Sequence, residues 1–232
     1  MNNQRTTTKI QVAILTGDIV RSAGLTEKRR VLLYEAFKTL SELLIEKYSR
    51  EVVPFDLKNF RGDGWQLLVD RPEFSLDIAL FIRSYIRFTF ALEKLDSRLA
   101  IGIGSIDLAP SENISAGDGA AFMLSGHLLD TLSASRMGIV FEDSNLALVQ
   151  NGLLNNLQLL DIFVKKWSPA QSQAIFWALQ KLNQKEIAGK WIPKPITQAA
   201  ISKNLKAAHW EQVKSSLQYF SATVLTILSD NS

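Results

Sequence analysis

Leu15-Thr16-Gly17-Asp18-Ile19-Val20-Arg21-Ser22 and, further along, Phe60-Arg61-Gly62-Asp63-Gly64-Trp65 are the two stretches whose reading decides the fold. The first ends an apolar, β-rich run, Gln11–Thr16, with Gly17-Asp18, as a buried strand closing at a turn does. The second sets Asp-Gly between two short strand-like runs, Phe55–Phe60 and Trp65–Val69, the signal of a tight hairpin. Between them, Leu25–Tyr48 repeats Leu, Phe and Ile at helical spacing behind Thr26, a suitable N-cap. Pro72 opens a second helix, apolar on most of its circumference, running to Leu95. Leu99–Ile106 is another β-like run, in which Gly102 and Gly104 mark close approach of a neighbour. A polar loop over Leu108–Gly119, a helix over Ala120–Ser133 and a strand over Gly138–Phe141 follow.

The order β-α-β-β-α-β, then loop, helix and strand, predicts an α+β fold of the ferredoxin-like, split βαβ type, with helices packed on one face of the sheet. Leu153–Val164 reads equally as a further strand or as a connecting segment. Beyond Trp167 the β-pattern stops. Ser168-Pro169 supplies an N-cap and an N1 proline for a helix to Leu182. Gln184–Lys190 and Thr197–Ala208 are short helices around a turn holding Pro193 and Pro195, and Glu211–Leu228 is a last apolar helix. The boundary falls near residue 165, giving units 9–165 and 166–232.

Composition narrows the chemistry. With 232 residues, 47% hydrophobic and 21% charged, the chain is excluded from the disordered class and can bury a sizeable core. It has no cysteine, which removes disulfides, thiolate nucleophiles and Cys-ligated metals. With only His127 and His209, a metal would rest on carboxylates and main-chain oxygens, the ligand set of magnesium, manganese or calcium. The polar start Met1–Thr8 lacks the apolar core of a signal peptide, and no apolar stretch is long enough to span a bilayer, so a cytoplasmic location is expected. Net charge is +3, but from Lys166 onward eight lysines face three acids, +5 against −2 for the rest. That asymmetry suits a polyanionic partner, and equally a solvated helical surface.

Asp18 follows a buried strand, at a sheet edge where open α/β sheets present ligands. Asp63 sits in the hairpin, and in a split βαβ sheet the first strand lies beside that hairpin, so the two carboxylates converge. With the Ile19 carbonyl they suit Mg²⁺ or Mn²⁺, which fills its octahedron with water and phosphate oxygens. The N–H groups of Val20, Arg21 and Ser22, where the chain turns toward a helix, would cradle those phosphates. Taken singly, Gly-Asp-Gly is a favoured turn and Asp18 an ordinary helix cap. Together, in this topological relation, they point to a metal site.

Gly-Asp-Ile-Val-x-Ser and Phe-x-Gly-Asp-Gly resemble the two metal-aspartate motifs of class III nucleotidyl cyclase catalytic domains, and Leu99-Ala100-Ile101-Gly102-Ile103-Gly104 resembles the strand that follows in that fold. This resemblance covers residues 9–142. Over most of its length the chain resembles the SatD family of bacterial proteins. The resemblance implies a nucleotidyl cyclase-like sheet binding a nucleoside triphosphate through Asp18, Asp63 and Ile19 at the metal and Val20, Arg21, Ser22, Asn59 and Arg61 around it. It also has departures. Asn59 stands where a base-selecting Lys or Glu is usual, and the helix Gly119–Leu128 places Met123 and His127 where such cyclases carry Asn and Arg. Loss of an arginine that answers developing charge predicts weak or absent cyclisation. His127 itself reads as a partly exposed helical histidine.

The region around Lys185-Glu186-Ile187-Ala188 and Thr197–Leu205 looks like a helix-turn-helix with Ile187, Ala188, Trp191, Ile201 and Leu205 as its core. Gln198, Ser202, Lys203 and Lys206 would then face outward, residue types that contact base edges and phosphates of double-stranded DNA. The turn is longer than the common form, and a small bundle used for packing or homodimerisation is the alternative. The leading expectation is a regulator with a metal-dependent nucleotide-binding domain and a DNA-binding helix-turn-helix. An active, unusual cyclase and a partner-binding protein with a vestigial cyclase fold are the alternatives.

Overall fold

The computed structural model describes residues 11–60, 62–107 and 117–230. β1 (Gln11–Val20) is the middle strand of a five-stranded sheet ordered β2-β3-β1-β4-β5, with β2 at Lys58–Phe60, β3 at Gly64–Val69, β4 at Asp96–Ser105 and β5 at Met137–Phe141. β3 and β4 flank β1 antiparallel, β2 pairs antiparallel with β3, and β5 runs parallel to β4. With eight α-helices among the described residues, this is a mixed α/β architecture.

The apolar run of β1 is explained by cover on both faces, which removes the usual polar alternation. Ala13 and Leu15 belong to the core beneath α1 (Glu27–Tyr48) and α2 (Ser75–Thr89). Val12 and Ile14 join a smaller cluster with Ala121 of α3 (Ala120–Thr131). Helices therefore lie on both faces rather than one. Gly102 permits this: a Cβ there would stand 2.5 Å from the Ala121 carbonyl oxygen and 2.8 Å from the Ser125 nitrogen. A hydroxyl hydrogen bond, Thr16 Oγ1 to Ser125 Oγ at 2.8 Å, fixes α3 over β1.

Several boundaries move. β1 continues through Val20 because two ladders hold it past Gly17, so Asp18 lies within the strand and not after it. The strand expected over Phe55–Phe60 begins at Lys58, and Pro72 opens a short 3-10 turn before α2. Leu153–Val164 is helical, inside α4 (Ala147–Lys166), and its buried Leu153, Leu157, Leu160, Asp161 and Val164 recur every three or four residues.

The C-terminal helices are α5 (Pro169–Leu179), α6 (Gln184–Gly189), α7 (Gln198–Ala207) and α8 (Trp210–Asp230). Ser168 and Asn183 start α5 and α6 with capping boxes, each satisfying two otherwise orphaned backbone donors. These helices do not keep a core to themselves. Phe176 of α5 stacks on Phe81 of α2 at 4.6 Å, and one hydrophobic cluster runs from Ala13 to Ile227. The boundary near residue 165 falls in the last turn of α4.

Charge ties the same layers. Arg83 of α2, fully buried, donates from Nε and Nη2 to Asp96 at 3.0 and 2.8 Å and from Nη1 to Asp161 of α4 at 2.7 Å. Arg87 and Arg136 also reach Asp96. Burial pushes the Asp96 carboxyl up, but the guanidiniums of Arg83, Arg87 and Arg136 outweigh it and hold the group well below the usual carboxylate range. Asp161 is lowered in the same way, burial being overcome by Arg83 and by the Arg136 backbone N–H. Among the described residues no helix is long and apolar enough to cross a membrane.

Candidate functional site

The open end of β1 gathers the residues of the first motif. Asp18 pairs with Gly64 on one side and Arg98 on the other, so Asp63 is next in line to its ladder partner. The Ile19 N–H donates to the Asp63 carbonyl at 3.1 Å, which carries the pairing one step into the hairpin. Ser22, in the 3-10 turn Ser22–Gly24 after the strand, donates from Oγ to Asp63 Oδ2 at 2.5 Å. The strand and the hairpin thus bring Asp18, Ile19, Ser22 and Asp63 together.

Gly17 and Trp65 fix this end from behind. A Cβ at Gly17 would stand 2.4 Å from the Trp65 ring, so the glycine of Gly17-Asp18 is demanded by indole packing. The Trp65 Nε1–H donates to Ser97 Oγ at 2.9 Å, and that hydroxyl donates to the Asp18 carbonyl at 2.8 Å.

Arg98 of β4 completes the site. Its Nε donates to Asp18 Oδ1 at 3.0 Å, its Nη2 pairs with Oδ2, and its Nη1 donates to the Leu132 carbonyl at 2.9 Å. The hydrogen bond to Asp18, against desolvation and with the added pull of Asp18, Asp130 and Asp63, raises the guanidinium above its ordinary pKa. Arg98 thus pairs with Asp18 alone, while Asp63 is engaged by Ser22. As arranged, both Asp18 oxygens are taken. Among the described residues no group of three or more His, Asp or Glu is arranged to hold a metal.

The phosphate cradle differs from expectation. Ile19 and Val20 are strand residues paired with β4, so the turn begins only at Arg21, which adopts φ 72°. Arg21 lines a separate pocket. Asn59 donates from Nδ2 to the Gly64 carbonyl at 3.1 Å while its Oδ1 is buried without a partner. Arg61 lies outside the described residues. Met123 and His127 are exposed on α3.

The second candidate is α7. Ile201 and Leu205 are its buried residues, and Ile187 and Ala188 of α6 are buried with them, with Trp191 packed alongside. Thr197 caps α7, accepting from the Ala200 N–H at 3.2 Å. Gln198, Ser202, Lys203 and Lys206 are all exposed, and among the described residues neither lysine has a carboxylate partner. The Trp167 Nε1–H donates to the Ala208 carbonyl at 3.0 Å, tying the end of α7 to the start of α5.

No family model matches the chain, and no curated protein matches its sequence. Sequence reasoning missed Arg98 and the Arg83–Asp96–Asp161 cluster. Arg83 and Arg87, one turn apart on a mostly apolar helix, were a findable signal of a buried ion pair, whereas the pairing of Arg98 with Asp18 follows from register alone.

Proposed function

We propose that the chain is a ligand-responsive DNA-binding regulator whose sheet has the nucleotidyl cyclase-like, split βαβ arrangement. The strand order β2-β3-β1-β4 supports that reading of the sheet. The end of β1 binds a nucleoside triphosphate with Mg²⁺ or Mn²⁺, and Arg98 holds the place of the cation until it arrives. The observation that carries the proposal is that Asp18, part-exposed and held by Arg98 alone, pairs in register with Gly64 and so stands one ladder step from Asp63. A divalent ion would engage both carboxylates where the arginine engages only Asp18. The orphaned Oδ1 of Asn59 offers an acceptor to a ligand N–H. The exposed Met123 and His127 leave the transition state without an arginine from α3, so nucleotide is held rather than cyclised.

The exposed face of α7 supports the DNA arm: Gln198 near the helix N-terminus meets base edges, while Lys203 and Lys206 meet phosphates. Thermal-shift measurements with Mn²⁺ and each of ATP, GTP, CTP and UTP test the first arm. One nucleotide should raise Tm in the wild type and leave Asp63→Asn unmoved; no shift with any of them, or release of a cyclic product over multiple turnovers, contradicts the proposal. Anisotropy on duplex DNA tests the second. Lys203→Ala should lower the salt slope of log K by about 1, and Gln198→Ala should flatten preference at one base pair.

A further inference from the structure

Where the start of β4 meets the ends of α2 and α4, a pocket of about 360 Å³ opens. Five of its nine lining residues are cationic: Arg21, Arg87, Lys94, Arg136 and Lys165; none is acidic. Beneath them lie Asp96, shared by Arg83, Arg87 and Arg136, and Asp161, shared by Arg83 and Lys165. Six cations therefore stand over two carboxylates. Glu93, the acid next to Lys94, is taken by Arg29 at 2.5 Å. Arg21 and Lys94 have no carboxylate partner among the described residues, and the Nε of Arg87 is buried with no acceptor.

Part of this excess is fixed in place by the backbone and by Arg87. Arg21 and Lys94 both hold left-handed backbone, φ 72° and 53°, a conformation that costs a side-chain-bearing residue energy and that glycine or asparagine would adopt more easily. Arg87 is anchored by donating from Nη2 to the Lys165 and Trp167 carbonyls at 3.2 and 2.6 Å. Burial together with repulsion from Arg83 and Arg136 exceeds the pull of Asp96, and its guanidinium lies below the ordinary arginine value. The pocket thus stores positive charge that the protein itself does not neutralise.

We infer that this pocket is a binding site for an oligophosphate, the free ion or the phosphate chain of a nucleotide. Guanidiniums match phosphate oxygens in pairs, and several fixed cations favour a chain of phosphates over a single one. The volume is at the small end of ligand sites, which suits a phosphate chain with no large apolar body. Trp167 and Pro169 line the same pocket, so its occupant touches the segment from which α5 and the exposed α7 are hung. The site needs no divalent ion and does not depend on the Asp18–Asp63 reading.

Calorimetry on the full chain in EDTA, with sodium chloride matching ionic strength, tests it with tripolyphosphate, pyrophosphate and ATP. Saturable binding of one tripolyphosphate per chain is expected, weaker for pyrophosphate. Arg21→Gln and Lys94→Gln, both at exposed positions, should each weaken it about tenfold, the effect of one charge-assisted hydrogen bond. Asp63→Asn should leave it unchanged, which separates this site from the end of β1. ATP binding as tightly as tripolyphosphate identifies the phosphate chain as the recognised part of a nucleotide; ATP binding much more weakly identifies the free ion. No saturation above the chloride control overturns the inference. So does an affinity that Arg21→Gln and Lys94→Gln leave intact, or one that Lys203→Gln on α7 lowers equally.

Discussion

Asp96 and Asp18 both pair with arginine at the same end of the β1–β4 ladder, yet their settings differ. The side chain of Asp96 is 1% exposed and answers three guanidiniums. That of Asp18 is 26% exposed and answers one. A carboxylate enclosed by several cations is committed to the fold, because nothing can replace its partners without leaving charge buried. A part-exposed carboxylate held by one part-exposed arginine can exchange it. The contrast separates a structural knot from the proposed site.

The knot should be the harder of the two to break. Arg83→Met leaves Asp161 with Lys165, Ser135 and the Arg136 N–H, removes one of three guanidiniums from Asp96, and should cost about 3–5 kcal/mol in urea unfolding. A loss under 1 kcal/mol would show that the buried cluster is not what holds α2 to α4. Acid loosens the same knot more gently. Asp96 and Asp161 are held below their unfolded values near 3.9, so their contribution is complete above about pH 5 and drains away as pH falls below about 4. Midpoints of unfolding measured from pH 6 to pH 2 should fall along that limb, and less steeply in Arg83→Met. Gly17→Ala tests the support behind Asp18: a Cβ pressed on the Trp65 ring should cost about 1–3 kcal/mol with no ligand present. Asp18→Asn, by contrast, removes only a part-exposed pair and should change stability by about 1 kcal/mol or less. If it destabilises as much as Arg83→Met, Asp18 belongs to the fold and the contrast collapses.

Much of this was legible in the residues. The QVAILT run, the Asp-Gly hairpin and the glycines of Leu99–Gly104 point to a strand flanked by a hairpin, and the register bears that out for β1 and β3. The capping signals of Thr26 and Ser168 locate α1 and α5. What was not legible depends on contacts between distant segments. Periodicity cannot say that α3 crosses to the other face, since that follows from Gly102 meeting Ala121. Nor does it reveal Arg98 opposite Asp18, which follows from register alone. Leu153, Leu157, Leu160 and Val164 already carry helical spacing, whereas the burial of Asp161 beside them follows from Arg83 meeting it.

The central claim is that Arg98 holds the place of a divalent cation between Asp18 and Asp63. Titration of Mn²⁺ followed by electron paramagnetic resonance, on wild type, Arg98→Gln and Arg98→Gln/Asp63→Asn, tests it directly. Removing one positive charge within hydrogen-bond distance of Asp18 should tighten Mn²⁺ about tenfold or more, and Asp63→Asn should abolish the gain. Equal Mn²⁺ affinity in wild type and Arg98→Gln, or a gain that survives loss of Asp63, would contradict the account.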